Sequence, residues 1–283
     1  MPAPDTPDVL RLAAFTDRPD GGNPAGVVLD ASGLRGDRMQ AIATAVGYSE
    51  TAFLTARDDG SLDARYFSPE AEVPFCGHAT IAAAVAVAGV RGPGRLVLHT
   101  LAGDVPVRTK RDGGVVTATL TSVTPEVGPV PGADLATALD ALRWAPRDLD
   151  PDLPPRIAFA GARHLVLAAG SRARLADLDY DFAALRTYMA ARDLTTVDLV
   201  WREDPLTFHA RNPFPVGGVV EDPATGAAAA ALGAYLRALG AVTPPARVTI
   251  HQGEDLGRPS LLTVDIDAGS GGIEVTGTAV AIA

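Results

Sequence analysis

Two stretches of the chain are apolar on every side. Between Ala79 and Ala88 the only polar residue is Thr80, and between Ala227 and Leu239 the only charge is Arg237. A helix patterned in this way has to be buried on every face. Gly89 and Gly240 are the expected stops. Short runs with strand-type patterning surround each stretch. In the first half they predict strands over 9–15, 25–29, 49–56 and 62–69, the last two parted by the Asp-Asp-Gly turn at 58–60. Further strands are expected over 95–100, 104–109 and 115–120. Asp37 is placed to N-cap a helix running to Val46 and stopped by Gly47. In the second half the pattern predicts helices over 134–143 and 180–192. Strands are expected over 156–160, 164–169, 195–201 and 206–211, and after the second apolar helix over 247–252, 260–265 and 273–282. Residues 123–134, "VTPEVGPVPGAD", hold three prolines and two glycines and read as the linker.

This order predicts an α+β protein of two similar domains. Each wraps its sheet around one central buried helix. The expected boundaries are 1–125 and 126–272, with a last strand at about 273–283 returning to the first domain. With 283 residues and 47% apolar residues, the chain can build two real cores. The net charge of −10, without a Lys/Arg cluster, argues against nucleic acid or anionic lipid as partner. The opening "MPAPDTPDVLRLAAF" has no basic n-region and no apolar h-region, and the longest apolar run is shorter than the ~20 residues of a membrane span. A cytoplasmic protein with neither signal peptide nor membrane segment is therefore expected. Cys76 is the only cysteine, so no internal disulfide can form.

The chemistry-bearing residues gather just before the apolar helices, in "VPFCGHAT" and "VEDPATGA". The first amides of a helix lack internal partners and the dipole there favours negative charge, so both starts offer a place for a small carboxylate. Gly77 and Gly226 would let it approach the backbone, or they simply permit tight turns. His78 at such a start is expected to be neutral, as ligand-facing or structural histidine. Cys76 is an activated thiolate or, more simply, a packing residue. Glu50 heads the apolar strand "TAFL", where it is either a working acid/base or a partner in a rim salt bridge. Asp222 faces a ligand or N-caps its helix. No His or Cys pair has metal-ligand spacing, and no GxGxxG or Walker pattern is present, so neither metal nor nucleotide is expected.

Five blocks in order, "FTDRPDGGNPAGVVLD", "GYSETAFL", "RYFSPEAEVPFCGHATIAAA", "EDPATGAAAAALGAYL" and "HQGEDLGRPSLL", resemble the PhzF-like phenazine-biosynthesis family, which has the diaminopimelate-epimerase-like fold. The resemblance implies two alike domains, each a curled, mostly antiparallel sheet around a central buried helix with the active site between them, a homodimer, no cofactor and a small carboxylate substrate. It implies Glu50 as catalytic acid/base, with His78 and Asp222 as the other catalytic residues. Asn23, Gly77, Thr225, Gly226 and Ala227 fall at substrate-binding positions. The phenazine-type motif carries serine where this chain has Ala227, so the substrate need not be the phenazine precursor. The expected activity is a cofactor-independent isomerase moving a proton between carbons of a small amino or hydroxy carboxylate. The rivals are a tautomerase or cyclase variant with the same site, a Cys76-dependent epimerase, and a non-catalytic small-acid binding protein.

Overall fold

A computed structural model describes residues 7–282. Residues 1–6 and 283, on which the start of the expected first domain, part of the signal-peptide reading and the end of the expected last strand fall, lie outside the described residues. The chain forms two compact units, one holding the residues up to Thr121 and those from Gly277 on, the other Ser122–Thr276.

The first unit contains β1 (Leu10–Ala14), β2 (Asn23–Val28), α1 (Gly36–Val46), β3 (Glu50–Ala56), β4 (Leu62–Phe67), β5 (Glu72–Val73), α2 (Gly77–Arg91), β6 (Arg95–Thr100), β7 (Gly103–Asp112) and β8 (Val115–Thr121). Neighbours pair antiparallel except at two places, where β2 runs parallel to β3 with Ala25 opposite Glu50, and β4 parallel to β6 with Leu62 opposite Leu98. The long α2 packs on β1, β2, β3, β7 and β8, and its residues are buried nearly all round, as its sequence demands.

The second unit contains β9 (Glu126–Pro129), α3 (Gly132–Leu142), β10 (Arg156–Phe159), β11 (Arg163–Ala168), α4 (Arg172–Ala176), α5 (Phe182–Ala190), β12 (Thr196–Asp204), β13 (Thr207–Pro213), β14 (Glu221–Asp222), α6 (Gly226–Leu239), β15 (Ala246–Gln252), β16 (Ser260–Ile266) and the first residues of β17 (Glu274–Ala281). Its parallel joints are β11 with β12 and β13 with β15, and the other pairings are antiparallel. The sequence of joints is the same as in the first unit. The end of β17 pairs with β1, Ala13 opposite Val280. α6 is buried on all sides, and a Cβ on Gly233 would sit 2.7 Å from Val264 and 2.9 Å from Ile273, so only glycine fits where the helix meets the sheet.

Three expectations and one alternative need correction. α1 opens at Gly36 after Arg35, and the Asp37 carboxylate lies inside the first turn, where it takes the Arg35 guanidinium at 2.7 and 3.1 Å instead of capping. Gly89 does not stop α2. The helix runs to Arg91 because its buried face outweighs the ~1 kcal/mol cost of an interior glycine, and it ends at Gly92 with φ 83°. The expected linker is structured, since Glu126–Pro129 pairs with β10 and α3 begins at Gly132. Asp222 does not cap α6; Thr225 occupies that position. The sequence patterns also missed α4 and the two-residue strands β5 and β14. Among the described residues no helix is long and apolar enough to cross a membrane.

A buried polar row crosses the second sheet. His164 Nδ1 lies 2.8 Å from Thr196 Oγ1, Thr196 donates to Asn212 Oδ1 at 2.6 Å, and Asn212 donates to Asp198 Oδ1 at 3.2 Å. Among the described residues, His164 Nε2 and Asp198 Oδ2 have no hydrogen-bond partner. Burial pushes the Asp198 carboxyl up to about 7 and the His164 imidazole down to about 3. The folded chain thus keeps the Asp198 proton that an unfolded carboxyl loses near pH ~4, so this group lowers stability progressively from pH ~4 to ~7. His164 acts in the opposite sense, lowering stability as pH falls through ~6.5. Asp198→Asn removes only the first effect. The variant's unfolding free energy relative to the parent should be higher at pH 8 than at pH 5 by about 2 kcal/mol. Urea titrations at the two pH values check this, and an unchanged difference between them refutes it.

Candidate active site

Each unit assembles one polar cluster where its buried helix begins. In the first unit, β2 and β3 run parallel with Ala25 opposite Glu50, and this brings the head of β3 beside Asn23 at the head of β2. β5 pairs with the end of β4, and three residues later α2 opens at Gly77. The Arg65 guanidinium holds Glu72 of β5 by two 2.7 Å hydrogen bonds. Thr80 in the first turns of α2 donates to the Cys76 carbonyl at 2.7 Å and meets the Tyr66 hydroxyl at 2.7 Å. Burial raises the Tyr66 phenol, which stays neutral. The entry to α2 is therefore tied to β4 from two sides.

His78 is the hub of this cluster and is buried. Its Nε2 lies 3.3 Å from Glu50 Oε2 and 3.2 Å from Ser49 Oγ. Its Nδ1 lies 3.2 Å from the Asn23 amide nitrogen and 3.4 Å from Cys76 Sγ. An ionised carboxylate can only accept, and an amide nitrogen can only donate. The arrangement therefore assigns the imidazole proton to Nε2, pointing at Glu50, with Nδ1 accepting from Asn23. The Glu50 side chain keeps 17% of its surface, enough for a small molecule to reach and too little for free hydration. Cys76 is buried, as a packing residue would be, yet its sulfur also faces the imidazole. The carboxylate, thiol and imidazole donor atoms lie within 4.8 Å of one another.

In the second unit, Asn212 and Pro213 of β13 face Asp222 and Glu221 of β14. The Arg211 guanidinium grips Glu221 at 2.5 and 3.0 Å and donates to the Ala176 carbonyl at 2.7 Å. With Glu221 at 1% side-chain exposure, this is a buried ion pair whose charges are all matched. Asp222, itself buried, accepts from the Thr225 hydroxyl at 2.5 Å. Gln252 clamps the turn into α6, donating to the Asp222 carbonyl at 2.8 Å and accepting from the Thr225 amide at 3.0 Å. Ser260 donates to the Pro223 carbonyl at 3.0 Å. Gly253, at φ 75°, lets the backbone close on this turn, since a Cβ there would sit 2.4 Å from the Arg258 carbonyl and 2.7 Å from that of Pro223. Gly226 is buried at the helix start and Ala227 is half-buried beside it.

The structure thus joins Asn23, Glu50, Gly77 and His78 at one helix start, and Asp222, Thr225, Gly226 and Ala227 at the other. Ser49, Gln252 and the Arg211–Glu221 pair were not picked out from the sequence. Ser49 and Gln252 stand within the quoted blocks "GYSETAFL" and "HQGEDLGRPSLL" and could have been flagged there; nothing local marks Arg211.

The fold is shared with a PhzF-family phenazine biosynthesis protein from Bacillus anthracis, at a TM-score of 0.87 and 25% identity over 97% of this chain and 96% of that one. In sequence, the chain is 34% identical to YddE, an "uncharacterized isomerase" of Escherichia coli K12, over 97% of this chain and 96% of the relative. It is also 34% identical to trans-2,3-dihydro-3-hydroxyanthranilate isomerase of Pseudomonas chlororaphis, over 89% of this chain and 87% of the relative. The profile of the family described as phenazine biosynthesis-like protein matches residues 12–283, and the chain belongs to that family.

Removing the Gln252 clamp takes the side-chain acceptor from the Thr225 amide and one donor from the Asp222 carbonyl at a part-buried turn. Gln252→Ala should lower the unfolding free energy by about 2 kcal/mol, measured by urea denaturation. A loss under about 0.5 kcal/mol, the low end for one hydrogen bond, would show that the turn does not depend on it.

Proposed function

We propose that the chain is a cofactor-independent isomerase that moves a proton between carbons of a small amino or hydroxy carboxylate, with Glu50 as the group that takes and returns it. The observation that carries this reading is the Glu50–His78 pair, a little-exposed carboxylate held 3.3 Å from an imidazole Nε2–H. Glu50 Oε2 removes a proton from a carbon next to the substrate's unsaturated or carboxyl-bearing system. The C–H electron pair passes into that system, the double bond moves, and the Glu50 carboxyl delivers the same proton to another carbon. Nothing is lost or gained, and no outside reagent is needed. The His78 Nε2–H orients the carboxylate and Asn23 keeps the imidazole in that tautomer. Low exposure strengthens both interactions.

The substrate carboxylate would lie against helix-start amides at Gly77 or Gly226, where the dipole and the missing side chains favour an anion. At the second helix start, Asp222 and Thr225 offer polar groups to an acid held there, with Ala227 beside them. The P. chlororaphis relative's name supports a cyclic hydroxy-amino acid as the substrate class. The reading includes a homodimer acting in the cytoplasm, and light scattering of the purified protein tests the assembly.

Glu50→Gln keeps shape and removes proton transfer, so turnover of trans-2,3-dihydro-3-hydroxyanthranilate, or of any acid in a small panel that the parent converts, should fall by about 10²–10⁴. In D2O, with the carboxyl little exposed, the parent should carry the substrate's own hydrogen to the product carbon. Near-normal turnover in the variant would end this mechanism and favour a binding protein. The thiol epimerase reading draws on the 3.4 Å approach of Cys76 Sγ to His78. Cys76→Ala should keep turnover within a few-fold, whereas loss in a folded variant would transfer the chemistry to the thiol. Ala227→Ser adds a hydroxyl beside the helix start. It should tighten 3-hydroxyanthranilate by about 1 kcal/mol, roughly fivefold in Kd by calorimetry. Equal affinities would show that this position carries no specificity.

A further inference from the structure

Cys76 does nothing in the proposed proton transfer, yet it stands beside the two groups that do. The distances among the three suggest a second use for them. Tetrahedral Zn2+ takes thiolate at about 2.3 Å, imidazole nitrogen at about 2.0–2.1 Å and carboxylate oxygen at about 2.0–2.2 Å, which sets the ligand atoms roughly 3.3–3.7 Å apart. Glu50 Oε2 and His78 Nε2 are 3.3 Å apart, Cys76 Sγ and His78 Nε2 are 3.9 Å apart, and all three donors fall within 4.8 Å of each other. We propose that Glu50, Cys76 and His78 form a binding site for a thiophilic divalent cation of the Zn2+ type, and that the bound cation inhibits the enzyme reversibly.

The charges and the surroundings fit this cation. A thiolate and a carboxylate together neutralise a divalent ion, and the side chains of Glu50 and His78 keep only 17% and 6% of their surface, so water competes weakly. Sulfur and imidazole donors select Zn2+, Cd2+ and Co2+ over Mg2+ and Ca2+, which take oxygen. Cys76 and His78 flank the first residue of α2 and Glu50 heads a paired strand; because Sγ lies nearer Nδ1 (3.4 Å) than Nε2 (3.9 Å), the imidazole turns on binding to bring Nε2 between the sulfur and the carboxylate. Asn23 supplies the outer support that a metal-bound imidazole needs. With its amide turned over, its oxygen accepts the Nδ1 proton while Nε2 faces the ion. Three protein donors leave the fourth tetrahedral position open to Ser49 or water. Binding releases the thiol proton, while the imidazole proton moves from Nε2 to Nδ1, so binding strengthens as pH rises.

Inhibition rests on the reading of Glu50 as the proton carrier, since Oε2 cannot hold a cation and a substrate proton together. Binding does not rest on it, and the experiment separates the two. The reduced, chelator-washed protein is titrated with Co2+ and followed by absorption, and with Zn2+ by calorimetry. The expected result is one equivalent bound, with a thiolate-to-Co2+ charge-transfer band and the visible spectrum of a four-coordinate ion. Cys76→Ser should abolish the charge-transfer band, and His78→Gln and Glu50→Gln should each weaken Zn2+ binding tenfold or more, with far-ultraviolet circular dichroism confirming the fold. Absence of the band in the parent overturns the proposal. So does Zn2+ binding undiminished in all three variants, which would move the ion elsewhere, for instance to the paired His209 and His251 near Glu254. Where binding is present, Zn2+ should stop turnover and a chelator should restore it. Binding as expected without inhibition would keep the metal site and overturn Glu50 as proton carrier.

Discussion

α2 and α6 have no polar face to turn toward water, and this constraint governs everything else in the molecule. Each must be enclosed, and the only material long enough to enclose it is the sheet of its own unit. Alanine and glycine fill the helices because a curled sheet comes close. At Gly233 the sheet side chains of Val264 and Ile273 occupy the space a methyl group would need. Parallel joints appear twice in each unit, and in each case a helix spans the gap, α1 and α2 in the first unit and α5 and α6 in the second.

An enclosed helix still has two ends, and neither α2 nor α6 opens with a side-chain cap on its first amides. In both units the turn that leads into the helix has the same parts. A two-residue strand pairs with the sheet, three residues follow, and the helix opens on a glycine. The side chains that secure this turn differ. In the first unit Arg65 and Glu72 stay partly exposed, where an ion pair adds little, and the buried Tyr66–Thr80 contact does more of the holding. In the second unit the Arg211–Glu221 pair is sealed from water, and Gln252 and Ser260 bind the turn directly. Breaking a sealed pair costs far more than making it contributes, so it enforces one arrangement of β14.

Polar groups are concentrated at these ends because elsewhere the interior cannot satisfy them. The His164–Thr196–Asn212–Asp198 row shows the cost, with two atoms left unpartnered and both titratable groups driven to their uncharged forms. Asn212 links the row to β14, since it lies opposite Asp222. In the first cluster, by contrast, His78 finds a partner for each ring nitrogen, and that match sets its tautomer.

Much of this was legible in the sequence. An all-round apolar helix announces its own burial, strand alternation announces a sheet, and the residues before Gly77 and Gly226 stand out because reactive groups rarely precede such runs. These are local properties, carried by neighbouring residues and by the periods of helix and strand. The helix boundary at Arg91 and the strand inside the proline-rich stretch were not legible, because packing and strand pairing overrode the local signals of Gly89 and the prolines. Nor was the company each residue keeps. Asn23 reaches His78 across 55 positions and Arg211 reaches Glu221 across ten. The proton on Nε2, the sulfur beside the imidazole and the sealed ion pair were decided by which strands lie side by side, and that register is settled only when the whole sheet closes around its helix.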